Sequence, residues 1–187
     1  MRRVLILGGA RSGKSRYGQR LAQEIGGSVL FVATAEALDG EMERRIFEHR
    51  RKRPQGWRTL EAPVAVGRRI QPALGDAQVV LVDCVTLLVS NVLGQLCPSE
   101  NADDAGEALA EAAVDAEVAA LVGVMRSSAA SFLIVSNEVG SGLVPENRLG
   151  RLYRDLLGRA NQSLAEAVDE VYLMVAGLPV RVKPPGL

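Results

Sequence analysis

The sequence predicts an α/β fold: a mostly parallel sheet flanked by helices, with an antiparallel strand at the C-terminal edge. Three observations lead there. Short runs that are apolar throughout, such as Val4–Leu7 and Val79–Val82, alternate with longer segments of helical periodicity. Strands without polar alternation are buried on both faces, as in parallel sheets covered by helices. The last two apolar runs stand close enough together to form a hairpin, which sets one antiparallel pair at the edge.

Taken in order, Val4–Leu7 is a strand, Gly8–Gly13 a loop, and a helix runs from about Lys14 to Glu24, stopped by Gly26-Gly27. Val29–Ala33 is the second strand. A helix is expected from about Asp39 to Arg51, ending there because Pro54 disfavours helix at Arg53. Trp57–Leu60 reads as a short strand and Val64–Leu74 as a short helix. Val79–Val82 is the most strand-like run and ends on Asp83. Helices are expected over Thr86–Leu96 and Ala105–Met125, joined by a polar turn, Pro98–Asp104. Phe132–Ser136 is another buried strand, Asn137–Pro145 a glycine-rich loop and Glu146–Val168 a helix. Val171–Val175 and Val180–Val182 close the sheet, with Gly177-Leu178-Pro179 turning between them.

At 187 residues the chain has the length of one domain, and no linker or internal repeat divides it. Apolar residues make up 48% and charged residues 24%, with 22 basic and 22 acidic side chains. That balance gives no support for a nucleic-acid partner. The two cysteines, Cys84 and Cys97, have no metal-ligand spacing, which fits a reducing compartment. The apolar run after Met1-Arg2-Arg3 is too short for a signal peptide, and no run has the length of a membrane span. A cytoplasmic protein is expected.

Gly8-Gly9-Ala10-Arg11-Ser12-Gly13-Lys14-Ser15 matches G-x-x-x-x-G-K-[ST], between a strand and a helix. Backbone N–H groups in that setting face inward around a phosphate, and the helix N-terminus adds its positive dipole. Lys14 reaches the β and γ phosphates and Ser15 ligates Mg²⁺. The segment therefore predicts a P-loop NTPase with a RecA-like sheet that binds ATP or GTP. Asp83, at the carboxyl end of an apolar strand, suits a second Mg²⁺ contact; as an aspartate before a helix it also suits a cap.

The only histidine, His49, sits in Arg44-Arg45-Ile46-Phe47-Glu48-His49-Arg50-Arg51-Lys52-Arg53. Leu38, Met42 and Ile46 recur every fourth residue as an apolar stripe, and Glu41, Arg45, His49 and Lys52 line one flank of it. A solvated basic face near a helix C-terminus accounts for the pattern. So does a phosphate-binding cluster with a nucleophilic imidazole. Local pattern leaves both open, and the phosphate loop alone equally allows a monofunctional small-molecule kinase or a nucleotide switch. The Asn137–Arg148 loop is likewise open between a substrate-facing segment and a structural cap for the next helix.

Several stretches together resemble the bifunctional adenosylcobinamide kinase/adenosylcobinamide-phosphate guanylyltransferase family of cobalamin biosynthesis. They are Gly8–Ser15, Val32-Ala33-Thr34-Ala35, Asp39–Ile46, His49-Arg50, Arg53-Pro54, Trp57-Arg58-Thr59 with Glu61, Asp83-Cys84-Val85-Thr86 and Asn91. Asn137-Glu138-Val139-Gly140 and Gly142–Arg148 follow, then Arg154-Asp155, Gly158-Arg159 and Asn161-Gln162. The phosphate loop is generic, whereas the histidine segment and the Asn137–Arg148 segment are specific. The resemblance implies two reactions on a corrinoid. ATP or GTP phosphorylates the aminopropanol hydroxyl of adenosylcobinamide, and GTP then transfers GMP to that phosphate, giving adenosylcobinamide-GDP and pyrophosphate. It implies that His49 carries the guanylyl group and that Lys14 assists. It also implies nucleotide contacts from Gly8, Gly9, Ala10, Arg11, Ser12, Gly13, Lys14, Ser15, Ala33, Thr34, Ala35, Arg50, Arg51, Lys52, Arg53, Glu61 and Asp83, with Mg²⁺ at Ser15 and Asp83. A homo-oligomer is suggested, a trimer being one form.

Overall fold

The computed structural model describes residues 1–36, 40, 44, 47, 51, 53–97 and 104–184. Seven strands form one sheet: β1 (Arg3–Gly8), β2 (Val29–Ala33), β3 (Arg58–Glu61), β4 (Val79–Asp83), β5 (Ser131–Val135), β6 (Glu170–Val175) and β7 (Leu178–Lys183). Five helices lie among the described residues: α1 (Lys14–Ile25), α2 (Val66–Ala73), α3 (Val85–Leu96), α4 (Asp104–Ser127) and α5 (Arg148–Ala167). The strand order is β3-β2-β4-β5-β1-β6-β7. All neighbours pair in parallel except β6 with β7. The expected α/β class, the mostly parallel sheet and the antiparallel C-terminal edge are all present, and the architecture is that of a P-loop NTPase.

The period of two along each strand divides the core into two faces. Val4 and Ile6 of β1, with Phe31, Leu81 and Leu133, pack beneath α1 through Leu21 and Ala22. Leu5, Val80, Val82, Phe132 and Ile134 point the other way, against α2 to α5. Close approach is set by small residues. A Cβ on Gly18 of α1 would stand 3.1 Å from Leu81 Cδ1, and one on Gly67 of α2 only 2.3 Å from the Ala120 carbonyl carbon in α4. No helix of the described residues is long and apolar enough to cross a membrane.

Several boundaries differ from the sequence expectation. The last turn is Ala176-Gly177, not Gly177–Pro179: Val175 pairs with Leu178, and the two loop residues have φ of 50° and 85°. Both being positive, the link is a type I′ hairpin. Leu178 and Pro179 belong to β7, where Pro179 is tolerated because β7 is the sheet edge. Helix α2 begins at Val66 rather than Val64 because Ala65 is left-handed (φ 55°) and the Glu117 carboxylate accepts from Ala65 N at 2.6 Å and Val66 N at 3.0 Å. Helix α5 begins at Arg148 rather than Glu146, capped by Asn147 Oδ1, which accepts from Gly150 N at 2.6 Å. The third strand runs Arg58–Glu61, one residue later than expected, and β4 takes in Asp83. β5 covers Ser131–Val135 instead of Phe132–Ser136. Gly40, Arg44, Phe47 and Arg51 are helical, as expected for the segment after β2. The stripe of Leu38, Met42 and Ile46, its flank at Glu41, Arg45, His49 and Lys52, and most of the Pro98–Asp104 turn lie outside the described residues.

Candidate active site

The carboxyl ends of the parallel strands gather the site. In register, Ala33 of β2 lies beside Glu61 of β3 on one side and Asp83 of β4 on the other. Asp83 lies beside Val135 of β5, which in turn pairs with Ile6 of β1 just before the phosphate loop. One edge of the sheet thus carries Gly8–Ser15, Ala33–Ala35, Glu61, Asp83 and the start of the Asn137–Arg148 loop. Ligands of open α/β sheets bind at this edge.

The loop conformation follows from its residues. Gly8, Arg11 and Gly13 have φ of 149°, 56° and 96°. A side chain at Gly8 would meet the Met174 carbonyl oxygen at 2.7 Å, and one at Gly13 would meet Gly177 Cα at 3.2 Å. The β6–β7 hairpin therefore backs the loop closely, and Gly177 N donates to Ser12 O at 3.0 Å. Only glycine satisfies both the backbone angle and the space. Gly9, Ala10 and Arg11 remain exposed.

Lys14, in the first turn of α1, is buried, and its Nζ donates to Gly9 O at 2.6 Å. Burial pulls its pKa down from the ordinary lysine value, opposed by the Cys84 thiol and the Asp83 carboxylate. The ammonium is poorly solvated and held across the loop, ready to exchange a carbonyl partner for phosphate oxygen. Ser15 Oγ donates to Asp83 Oδ1 at 3.2 Å. A hydroxyl and a carboxylate oxygen at that spacing are hard donors able to take adjacent positions around Mg²⁺, with nucleotide phosphates and water completing the shell. Next to them the Cys84 thiol is pushed up to about 11, first by burial and then by Asp83. It is therefore a neutral group rather than a nucleophile at pH 7.

Thr34 has a different place. It is fully buried, its Oγ1 both accepts from Cys84 N and donates to Cys84 O at 2.7 Å, and its carbonyl accepts from Asn91 Nδ2 at 2.8 Å. Its polar atoms join the end of β2 to the chain after β4, so it orients the edge rather than presenting a free hydroxyl. Arg53 lies over Phe31, its guanidinium carbon 4.0 Å from the ring centroid, and Nη1 donates to Thr59 Oγ1 at 3.2 Å. Arg51 is exposed beside Phe47, at 5.8 Å from that ring centroid. Ala35 is half-buried and Glu61 exposed at the edge. His49, Arg50 and Lys52 lie outside the described residues.

A family model for cobinamide kinase / cobinamide phosphate guanyltransferase matches residues 4–182. This chain belongs to the cobinamide kinase / cobinamide phosphate guanyltransferase family. Among similar proteins, the bifunctional adenosylcobalamin biosynthesis protein CobP of Pseudomonas aeruginosa is 45% identical over 181 residues, 97% of each chain. The bifunctional adenosylcobalamin biosynthesis proteins CobU of Escherichia coli and of Salmonella typhimurium are each 41% identical over 180 residues, 96% of this chain and 99% of their own.

Within this family member, the Asn137–Arg148 loop divides into two parts. Its start is tied to the phosphate loop, since Glu138 N donates to Gly8 O at 3.0 Å. Its end is a helix cap: Asn147 closes α5, and Arg148 pairs with Asp104 and with Glu107, Nε to Oε1 at 2.5 Å. The cap reading thus describes its end. Between the two parts Leu143 and Val144 are exposed. The sequence reading gave no role to Thr86, Asn91 or Asn161, which fix the backbone around the site. Asn91 Nδ2 also donates to Pro63 O at 2.9 Å, and Thr86 Oγ1 accepts from Asn137 N at 2.7 Å. A polar side chain inside a mostly apolar helix stretch such as Val85–Leu93 is the signal that would have marked Thr86 and Asn91, whereas Asn161 sits in a polar helix and carries no such mark.

Proposed function

We propose that this chain phosphorylates the aminopropanol hydroxyl of adenosylcobinamide with ATP or GTP. It then transfers GMP from GTP to the resulting phosphate, yielding adenosylcobinamide-GDP and pyrophosphate. The observation that carries the reading is membership of a kinase and guanyltransferase family over residues 4–182, together with a phosphate loop whose Ser15 meets Asp83 at the sheet edge.

In the first reaction, loop N–H groups and Lys14 offset the charge that develops on the transferred phosphoryl group, and Ser15 and Asp83 would hold Mg²⁺, which would add positive charge there. In the second, neutral His49 attacks the α-phosphorus of GTP. Pyrophosphate leaves, and the corrinoid phosphate displaces the histidine from the guanylyl adduct. Arg50, Arg51, Lys52, Arg53, Glu61, Ala33 and Ala35 contribute the remaining nucleotide contacts in this proposal, with Thr34 holding the backbone between the two alanines. A homo-oligomer, a trimer being one form, with the corrinoid received at a subunit boundary, belongs to the same reading.

The test is direct. Incubation with adenosylcobinamide, GTP and Mg²⁺ should give adenosylcobinamide-GDP and one pyrophosphate per product, identified by mass spectrometry. Formation of adenosylcobinamide phosphate without further conversion would reduce the reading to a monofunctional kinase, and no product at all would overturn it.

A further inference from the structure

The chain leaves β5 at Val135 and enters the site as Ser136, Asn137 and Glu138, between the phosphate-loop strand β1 and the Asp83 strand β4. Three elements clamp this segment. Ser136 N donates to Ile6 O at 3.0 Å and Glu138 N to Gly8 O at 3.0 Å, both in β1. Asn137 N donates to Thr86 Oγ1 of α3 at 2.7 Å, and Asn137 O accepts from Asn161 Nδ2 of α5 at 2.9 Å. Asn161 is buried, so the anchor from α5 is shielded from water. Successive backbone groups are thereby fixed relative to the first residue of the phosphate loop.

Glu138 is half-buried. Its Oε1 accepts from Gly140 N at 2.6 Å, which sets the plane of the carboxylate. A Cβ on Gly140 would stand 2.9 Å from that oxygen, so the turn needs glycine to keep the contact. Oε2 takes no hydrogen bond from the described residues. Two other carboxylates at this edge are placed differently. Asp83 accepts from Ser15 in the position suited to Mg²⁺. Glu61 ends the edge strand β3, with β2 and β4 between it and β5. Glu138 follows β5, the strand beside β1, on backbone tied to Gly8, and its second oxygen takes no hydrogen bond from the described residues.

We infer that Glu138 is the general base of the kinase reaction. The inference rests on the proposed kinase activity and adds a residue to it. The substrate hydroxyl oxygen bonds to the γ-phosphorus of the nucleotide, and the bond from that phosphorus to its β–γ bridging oxygen breaks. The nucleoside diphosphate carries away the electron pair, and the hydroxyl proton passes to Glu138 Oε2. The clamp through Thr86, Asn161 and Gly8 fixes the backbone that carries Glu138 beside the first residue of the phosphate loop, and a base mounted within reach of the substrate hydroxyl is what general-base catalysis requires. Guanylyl transfer to adenosylcobinamide phosphate needs no such base, because its nucleophiles are an imidazole and a phosphate oxygen already free of the proton.

The two half-reactions separate the inference from the reading beneath it. Glu138→Gln keeps an oxygen for Gly140 N but cannot take the proton. Its kcat for adenosylcobinamide phosphorylation should fall about 100-fold or more, with the KM for ATP within about twofold of wild type. Conversion of preformed adenosylcobinamide phosphate and GTP to adenosylcobinamide-GDP should continue. Retained phosphorylation would overturn the inference. So would equal loss of both reactions in a variant that melts like wild type, since Glu138 would then be holding the phosphate loop and not taking a proton. A wild-type chain that cannot phosphorylate adenosylcobinamide would overturn the proposed function itself.

Discussion

Ser15 Oγ lies 3.2 Å from Asp83 Oδ1, joining the first turn of α1 to the end of β4 across 68 positions of sequence. Neither residue is needed there for packing: both are only half-buried, and the apolar contacts of β4 are made by Val79 to Val82. The proposed role of the pair is to hold Mg²⁺.

Asp83→Asn tests that role, since it preserves shape and a hydrogen-bond acceptor while removing the charge. Both nucleotide-dependent reactions should fall about 100-fold or more, the range expected when a group stabilising phosphoryl charge is removed. The Mg²⁺ concentration for half-maximal rate should rise. Rates measured over a Mg²⁺ titration, with a thermal melt beside them, check this; an unchanged Mg²⁺ dependence would remove Asp83 from the metal site.

Glu117 and Gly67 join α2 to α4 and have no contact with nucleotide in this account. Glu117→Ala removes the carboxylate that caps two backbone N–H groups and should destabilise the fold by about 1–2 kcal/mol. Gly67→Ala places a methyl group 2.3 Å from a backbone carbon and should cost about 3 kcal/mol. Denaturant unfolding measures both, and activity per folded molecule should remain unchanged.

How much was legible in the sequence depended on how locally each feature is encoded. The phosphate loop is a contiguous motif whose glycines are demanded by its own backbone, and Asp83 is marked by the apolar run it ends. Placement of β1, β2 and β4 followed, because a buried parallel strand must be apolar on both faces. The start of α2 was not legible, because its cap comes from Glu117, more than 50 residues away. The hairpin turn was misplaced because Pro179 looks like a turn residue unless β7 is known to be the edge. The segment Asn137–Arg148 is open in the sequence between a substrate-facing loop and a helix cap, and its two ends are held by different elements, Gly8 and Thr86 at one, Asp104 and Glu107 at the other. Such divisions are made by tertiary contacts.

Away from the site, Arg2 holds Glu170 from two nitrogens at 2.8 Å, and Tyr172 donates to the same carboxylate at 2.8 Å. The Arg2 hydrogen bonds, first among the causes, keep the Glu170 carboxyl below its ordinary value of 4.5. The folded state thus favours the ionised form. Its contribution is complete above the ordinary carboxylate value and disappears as pH falls through the lower folded value. Glu170→Gln should therefore be less stable than wild type by about 1 kcal/mol at pH 7, given the partial exposure of Arg2. The two proteins should converge as the pH is lowered through the depressed carboxyl value of Glu170. A stability difference independent of pH would show that packing, not the charge, is what Glu170 supplies.

In the proposed guanylyl transfer, GTP held by Gly8–Ser15 is attacked at its α-phosphorus by His49. Incubating the protein with GTP labelled at the α-phosphate, in Mg²⁺ and without corrinoid, tests it most directly. The protein should become covalently labelled, with a label stable to alkali, labile to acid and discharged onto adenosylcobinamide phosphate, and His49→Ala should take up no label. Labelling that persists in His49→Ala, or a wild-type protein that never becomes labelled while still forming adenosylcobinamide-GDP, would contradict it.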